Sequence, residues 1–276
     1  MSPVSETIGH WLPHTSSIDF CEPDYLLNHY VAEPFNVASS VFIMVLGLCG
    51  LLHSNPTQES MFSLHFVIVI AVGLGSVLLH TTLQAFPQSL DEVPMMWFNV
   101  LSYYIIMNMK KERRKSQGLF AIDSLGALFL GLASVETYIY YSMRWLYAVF
   151  LFVYISTTLG VNVWSIRYTF DQHSKTPEHT RLAKSVFLTA CVAFFLIGGV
   201  CWLIDMNLCG HLLPVYHAFH GATLHIIWHI TAGYGGYLQA LTLVVARAGE
   251  LNMPVHLEWR WAVVPVIVRS VRDKSE

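Results

Sequence analysis

Long apolar runs alternate with short polar segments along the whole chain. Seven of these runs approach the roughly 20 mostly apolar residues that a membrane-crossing helix needs. They cover about 34–53, 61–82, 90–109, 118–137, 145–166, 183–204 and 217–240. The pattern therefore predicts an all-α fold, a seven-transmembrane helix bundle.

Composition agrees with a membrane protein. Of the 276 residues, 54% are hydrophobic and only 12% are charged, about half the charge of an average soluble domain. Residues 1–33 lack the basic and apolar regions of a signal peptide, so we expect the first span to act as its own insertion signal. The predicted organisation is an acidic arm (1–33), a seven-helix domain (34–246) and a tail (247–276).

The basic residues predict the orientation of the bundle. The first 109 residues contain no Lys or Arg, and fourteen of the fifteen in the chain follow predicted spans 3, 5 and 7. Only Arg144 falls on the other side. Because cytoplasmic loops carry the excess of Lys and Arg, we expect a lumenal or extracellular N-terminus and a cytosolic C-terminus.

Five polar side chains interrupt the apolar runs at ligand-like spacing. Ser76 and His80 lie four residues apart, as do His225 and His229, while Asp91 opens the third span. Residues four apart share one helix face, and the predicted orientation places all five at similar depth near the lumenal side. Polar groups inside a membrane are costly and mark functional sites.

Three imidazoles with one open position are typical of a catalytic zinc site. Asp91 is then a candidate general base, and Ser76 a candidate donor to the oxyanion that develops on a substrate carbonyl. Each residue has a structural alternative. Ser76 could bond its own helix backbone, Asp91 could belong to a capping box that starts at Ser89, and the histidines could be packing residues.

The remaining histidines are weaker candidates for metal binding. His211, His217 and His220 lie near the lumenal end of the last span, where we interpret them as surface or loop residues. The others fall in polar segments or near span ends, without a partner at ligand spacing: His10, His14, His29, His53, His65, His173, His179 and His256.

The N-terminal arm concentrates four carboxylates. Asp19, Glu22, Asp24 and Glu33 have no basic residue near them in sequence. Closely spaced carboxylates together with backbone carbonyls are the ligands that calcium prefers, although the spacing differs from that of an EF-hand. A solvated acidic arm without a cation is the alternative interpretation.

These motifs, in this order, resemble those of the alkaline ceramidases, seven-span zinc amidases of a superfamily that includes the adiponectin receptors. The matching pieces are Asp19-Phe-Cys-Glu22-Pro-Asp24, Ala32-Glu33, Gly75-Ser76 with His80, Asp91-Glu-Val-Pro-Met, and His225-Ile-Ile-Trp-His229. The serine, aspartate and three histidines are shared across the superfamily, whereas the acidic motif is typical of ceramidases.

The resemblance implies hydrolysis of the ceramide amide bond to a sphingoid base and a fatty acid. It implies that His80, His225 and His229 bind zinc, and that Ser76 and Asp91 assist catalysis. It also implies a calcium ion bound by Asp19, Glu22, Asp24, Glu33 and the carbonyl of Phe20. The chain departs from the family at Phe20 and Asp24, where Trp and Asn are common, and at the Ile pair after His225, which could reshape the acyl pocket.

The five cysteines fall into two groups. Cys49, Cys191 and Cys201 lie in predicted spans and are expected to be packing residues. Cys21 and Cys209 both fall on the predicted lumenal side, which is oxidising in the secretory pathway. We therefore predict a disulfide between them, with two free thiols as the alternative.

Other functional classes remain open at this stage. A receptor of the adiponectin-receptor type, a lipid-remodelling hydrolase that acts on anchored proteins, and a channel or proton transporter could each use intramembrane His and Asp. Short termini argue against a receptor, and clustering at one depth argues against a pore. We expect an integral membrane protein of the endoplasmic reticulum or Golgi, with a ceramide-type lipid as substrate and neither nucleic acid nor an obligate protein as partner.

Overall fold

The computed structural model describes residues 9–109, 123–169 and 176–270. The helices are α1 Pro34–His53, α2 Ser60–Thr82, α3 Ala85–Asn108, α4 Ser124–Met143, α5 Tyr147–Thr169, α6 Pro177–Cys191, α7 Val200–Ala218 and α8 Leu224–Glu250. A π-helical segment, Val192–Gly199, joins α6 directly to α7, and α7 is kinked at Leu208, where the backbone leaves the helical conformation (φ −117°, ψ 15°). Helices that follow one another pack together at the start of the bundle, and α8 packs against α1 and α6.

Within the described residues, four helical stretches are long and apolar enough to cross a membrane: Pro34–His53, Ser60–Thr82, Tyr147–Arg167 and Pro177–Ala218. They contain predicted spans 1, 2, 5 and 6 nearly completely and support the predicted membrane character. Helices α3, α4 and α8 overlap the remaining predicted spans. The number of seven spans and the direction of the termini stay predictions.

The start of the last predicted span, at 217, is wrong. Helix α7 continues to Ala218, and α8 begins at Leu224. Between them the backbone turns through left-handed conformations at His220 (φ 57°) and Gly221 (φ 96°). A left-handed residue cannot continue a right-handed helix, so the apolar run is divided there.

The prediction of an all-α fold is wrong at the C-terminal end. Strands β1 Val255–Arg260 and β2 Val264–Arg269 form an antiparallel hairpin, within the region that the sequence analysis assigned to a tail (247–276). β-Branched residues dominate β2, and their branched side chains suit a strand. Val264 and Ile267 are buried, and the Tyr237 hydroxyl donates to the Pro265 carbonyl at 2.7 Å. The hairpin therefore packs onto the bundle.

A buried ion pair fixes the end of the bundle that carries the hairpin. Arg247 near the end of α8 donates to both carboxylate oxygens of Glu59, at 2.9 and 2.7 Å. It also donates to the Met109 carbonyl at 2.7 Å. Only 2% of the Arg247 side chain is exposed. The contact joins α8 to the residue before α2 and to the residue after α3.

Candidate metal centre

Three histidines converge at the end of the bundle next to the N-terminal arm. His80 lies near the end of α2, and His225 and His229 lie one turn apart at the start of α8. One ring nitrogen of each lies within 4.8 Å of one ring nitrogen of both others, and all three residues are buried. The predicted four-residue spacing therefore brings both α8 histidines to a common centre with His80.

Neighbouring side chains orient two of the rings. The Nδ1 atom of His80 contacts Oε2 of Glu33, and the Nδ1 atom of His229 lies 2.8 Å from the Ser39 hydroxyl. The Nε2 atom of His80 is buried without a partner. In metal-binding histidines, the ring nitrogen that does not bind the metal characteristically makes a hydrogen bond of this kind to a neighbouring group. Three neutral imidazoles fit a zinc ion; these contacts hold His80 and His229, whereas the Nδ1 atom of His225 is buried without a partner.

Ser76 lies beside the histidines. Its hydroxyl is 2.9 Å from that of Ser40 and 3.5 Å from Nε2 of His229. These contacts reach across to α1 and α8, so the alternative of a backbone bond within α2 does not describe this residue. Ser76 is 1% exposed and faces the centre.

Asp91 faces the same cavity as Ser76. Helix α3 begins at Ala85, which places Asp91 in the second turn instead of the first. The capping-box alternative is therefore wrong, and the Ser89 hydroxyl instead donates to the Phe86 carbonyl at 2.7 Å.

A glycine allows α2 and α3 to approach closely next to these two residues. A Cβ atom on Gly75 would overlap the carbonyl group of Leu90. Gly75 precedes Ser76 in α2, and Leu90 precedes Asp91 in α3. The absence of a side chain at this position thus sets how near the two candidate catalytic residues can lie.

The acidic arm folds back over the histidines. Carboxylate oxygens of Asp19, Asp24 and Glu33 lie within 4.8 Å of one another. Glu22 is not one of these three: its two oxygens accept the backbone N–H groups of Phe35 and Asn36, at 2.7 and 2.8 Å. The structure thus brings three of the four predicted carboxylates together, while the fourth caps the start of α1.

Burial makes Glu22 and Asp24 of the arm unfavourable as anions. Desolvation raises the pKa of Glu22 to about 8, although the backbone bonds from Phe35 and Asn36 oppose the shift. Desolvation also raises the pKa of Asp24 to about 6, with the neighbouring His14 opposing it. A bound cation would favour the ionised forms.

Cys21 and Cys209 form a disulfide, with Cα atoms 5.6 Å apart. The bridge ties the arm to α7, and Cys21 Sγ also lies 3.2 Å from the Asp205 carbonyl oxygen. Of the free cysteines, Cys49 is buried, and Cys191 and Cys201 are partly buried. All three lie in helices.

Most of the competing histidines lie away from the centre. His211, His217 and His220 are exposed, as the sequence predicted, and His173 lies outside the described residues. His65 is different, because it is fully buried between α2 and α3. It stacks on Phe98 and lies 3.0 Å from the Ser102 hydroxyl.

A cavity of about 340 Å³ opens from the histidines into the bundle. Ser76, Asp91, His225 and His229 line one end of it, and its walls are mostly apolar and aromatic. It extends along α8 from His225 to Gln239, which is about 21 Å at 1.5 Å per residue. The site can therefore hold a long apolar chain whose polar end lies at the histidines.

A protein-family model described as Ceramidase matches residues 12–268. The chain belongs to the ceramidase family. It is 28% identical to "Alkaline ceramidase YPC1" of Saccharomyces cerevisiae, over 99% of this chain and 90% of that protein. It is 27% identical to "Alkaline ceramidase" of Arabidopsis thaliana, over 93% and 94%, and 25% identical to "Alkaline ceramidase 3" of Mus musculus, over 99% and 100%.

Several contacts at this site of the ceramidase-family chain were not predicted from the sequence. Ser39 and Ser40 contact His229 and Ser76 from α1, and two adjacent serines in an apolar run were an available signal. The Phe20 ring packs against His80 and His225, with ring centres 4.8 and 4.4 Å apart, whereas only its backbone carbonyl was considered from the sequence.

Proposed function

We propose that this chain is an amidohydrolase that cleaves the amide bond of ceramides to a sphingoid base and a free fatty acid. The observation that carries the proposal is the convergence of His80, His225 and His229 at one end of a deep apolar cavity, in a chain of the ceramidase family. A cavity of this kind suits a lipid with one polar linkage and long hydrocarbon chains.

The three imidazoles would hold zinc through the ring nitrogens that face one another. When bound, zinc supplies Lewis acidity toward the amide carbonyl and lowers the pKa of water. Glu33 and Ser39 fix the rings of His80 and His229 through their Nδ1 atoms. The chain itself would therefore position two of the three donor atoms before a metal arrives.

Asp91 and Ser76 would handle the proton and the developing charge. The Asp91 carboxylate takes a proton from the attacking water and delivers it to the amide nitrogen. The new C–O bond forms at the carbonyl carbon as the C–N bond breaks, and the nitrogen leaves as the amine of the sphingoid base. The Ser76 hydroxyl, held by Ser40 at 2.9 Å, donates to the carbonyl oxygen as negative charge builds there.

We also propose a calcium ion in the acidic arm. Asp19, Asp24 and Glu33 supply carboxylate oxygens that already lie within 4.8 Å of one another, and the ligand set would include Glu22 and the Phe20 carbonyl. Hard oxygen ligands in this number suit calcium. Because Glu33 also contacts His80, the cation would hold in place a residue that orients the zinc site.

The proposed arrangement in the membrane has a lumenal N-terminal arm and a cytosolic C-terminus, in the endoplasmic reticulum or Golgi. The distribution of Lys and Arg supports this orientation. A catalytic domain of seven spans would cover residues 34–246. The remaining residues, 247–276, would lie on the cytosolic side, where the described part forms the end of α8 and the hairpin.

The decisive experiment measures fatty-acid release from a panel of ceramides by the purified chain in detergent. Replacing Asp91 with Asn keeps the side-chain shape and removes the base, so we expect a loss of about 10²–10⁴-fold. His80→Ala should abolish activity and zinc binding together. His217→Ala is the matched control, because His217 is exposed.

Two results would redirect the assignment. Full activity of His80→Ala would contradict the zinc mechanism. Failure of the wild-type chain to release fatty acid from any ceramide, in the presence of zinc and calcium, would favour a lipid-remodelling hydrolase with another substrate or an adiponectin-receptor-like receptor.

A further inference from the structure

The cavity ends on amide and hydroxyl side chains at the end away from the histidines. Asn99, Thr158, Asn162 and Gln239 line this inner end, and we call them the polar floor. Gln239 follows His229 by ten residues in α8, which places it about 15 Å deeper along the helix axis. The four side chains come from three helices, α3, α5 and α8.

Hydrogen bonds within the protein use the amide nitrogens of the polar floor. Asn99 Nδ2 donates to the Thr158 hydroxyl at 2.9 Å, and Asn162 Nδ2 donates to the Thr158 carbonyl at 2.8 Å. Gln239 Nε2 donates to the Ser165 hydroxyl at 2.7 Å. The Oε1 atom of Gln239 is buried and has no partner. The polar floor therefore offers a hydrogen-bond acceptor.

Cross-linking of helices explains only part of this arrangement. The bond between Asn99 and Thr158 joins α3 to α5, and the bond between Gln239 and Ser165 joins α8 to α5. Neither contact employs Oε1 of Gln239. A buried acceptor that lacks a donor lowers the stability of the folded protein. A bound group with an O–H would supply the missing donor.

We propose that the polar floor is a subsite for a hydroxyl donor at the far end of a bound lipid chain, and that it limits the length of methyl-ended chains. The donor is a terminal hydroxyl of the lipid or a water molecule held at the floor. This inference rests on the proposed function, because the chain in question belongs to a lipid whose amide lies at the histidines. A methyl end that reaches Gln239 displaces the donor without replacing its hydrogen bond, while a hydroxyl end keeps that bond.

The test uses binding, so that it does not depend on hydrolysis. Fatty acids of increasing chain length, each paired with its ω-hydroxy counterpart, are titrated against the purified full-length chain in detergent. For short chains we expect equal affinity within each pair. Once the chain reaches the polar floor, we expect the ω-hydroxy acid to bind roughly two- to tenfold more tightly, the usual range for one hydrogen bond.

Substitution of the acceptor should remove this preference. In Gln239→Leu we expect each pair to bind equally and the longest methyl-ended acids to bind more tightly than in wild type. Asn207→Leu is the control, because Asn207 is an exposed amide on α7, and it should behave as wild type. If Gln239→Leu is poorly folded, Gln239→Met replaces it, because methionine is similar in length to glutamine and has no carbonyl acceptor.

The pattern of results separates the two sources of the hydroxyl donor. A preference for ω-hydroxy acids that disappears in Gln239→Leu indicates a lipid hydroxyl. If wild type shows no ω-hydroxy preference and Gln239→Leu binds longer methyl-ended chains than wild type, the donor is a water molecule bound at the polar floor. If both the preference and the length limit are the same in wild type and in the folded Gln239 variant, the proposal is overturned.

Hydrolysis of ceramides of matched chain length keeps this proposal separate from the proposed function. A wild-type chain that binds these acids with the expected pattern but cleaves no ceramide contradicts the proposed function alone. If the protein cleaves ceramides but the Gln239 substitution leaves its fatty-acid affinities unchanged, only the proposed role of the polar floor is contradicted.

Discussion

The Nδ1 atom of His80 contacts the Oε2 atom of Glu33, the residue that directly precedes α1. Glu33 also belongs to the acidic cluster with Asp19 and Asp24. One carboxylate therefore contacts a histidine of the candidate zinc site and contributes to the candidate calcium site. Both Glu33 and His80 are fully buried, so water does not screen the contact. Such a carboxylate fixes the ring and its tautomer and makes the other nitrogen a better ligand.

We expect Glu33→Gln to lower zinc affinity about 10–100-fold, because outer partners of metal-binding histidines contribute that much. The measurement is the zinc that the purified variant retains against a graded chelator, alongside fatty-acid release. Asp24→Asn is the matched control: it removes a charge from the same cluster, but its contact is with His14 at 3.5 Å. Equal zinc retention by wild type and Glu33→Gln would show that the contact does not tune the site.

Gly75→Ala should separate α2 from α3. The added Cβ would overlap the Leu90 carbonyl, and backbone can yield only by moving a helix. We expect a loss of about 1–3 kcal/mol in the free energy of unfolding, and a larger loss of activity because Ser76 and Asp91 move apart. Gly131→Ala in α4 is the control, since its Cβ would meet nothing within 4 Å. Thermal unfolding and fatty-acid release measure both effects, and wild-type activity in Gly75→Ala would contradict the proposed spacing.

Contacts within a single helix were the predictable part of this molecule. His225 and His229 share a face because the helical period requires it, and their isolation in an apolar run identified them as candidate ligands. Contacts between elements were harder to predict. The bond from Ser39 to His229 spans 190 residues of sequence, and it depends on how α1 packs against α8.

The wrong or missing predictions also concern features that depend on contacts between elements. The hairpin was missed because residues 247–276 were assigned as a cytosolic tail, and burial of β2 against the bundle depends on packing between distant residues. Asp91 was assigned an alternative capping role because Ser89 precedes it, although the helix begins earlier, at Ala85. His65 lay near a predicted helix end, and only the packing of α2 on α3 buries it.

Breaking the ion pair between Arg247 and Glu59 should destabilise the bundle strongly. Replacement of Arg247 by Met leaves the Glu59 carboxylate, which is only 10% exposed, without the guanidinium, so we expect a loss of about 3–5 kcal/mol in the free energy of unfolding. The pair of Arg260 and Glu258 is the matched control. Both of its side chains are about 40% exposed, and Arg260→Met should cost less than about 1 kcal/mol.

A double substitution tests whether the charge itself is responsible. Arg247→Met combined with Glu59→Met removes both buried charges, and we expect it to recover much of the lost stability. Chemical denaturation in a fixed detergent of wild type, Arg247→Met, Glu59→Met and the double variant gives the four values of the cycle. If the double variant is no more stable than Arg247→Met alone, then the lost contacts are packing and the Met109 carbonyl bond, and the ion-pair explanation is wrong.

Removal of the bridge between Cys21 and Cys209 should loosen the acidic arm. The two cysteines are 188 residues apart in sequence, so the bridge closes a long loop in the unfolded chain, and we expect Cys209→Ser to lose about 2–4 kcal/mol in the free energy of unfolding. Calcium affinity should fall as well, because Asp19 and Asp24 flank Cys21 in the arm. Cys201→Ser is the control, since Cys201 is a free thiol in the same helix.

Calcium titration and thermal unfolding, each with and without reductant, measure the two effects. Unchanged unfolding in Cys209→Ser, or equal losses in both variants, would show that the bridge does not hold the arm.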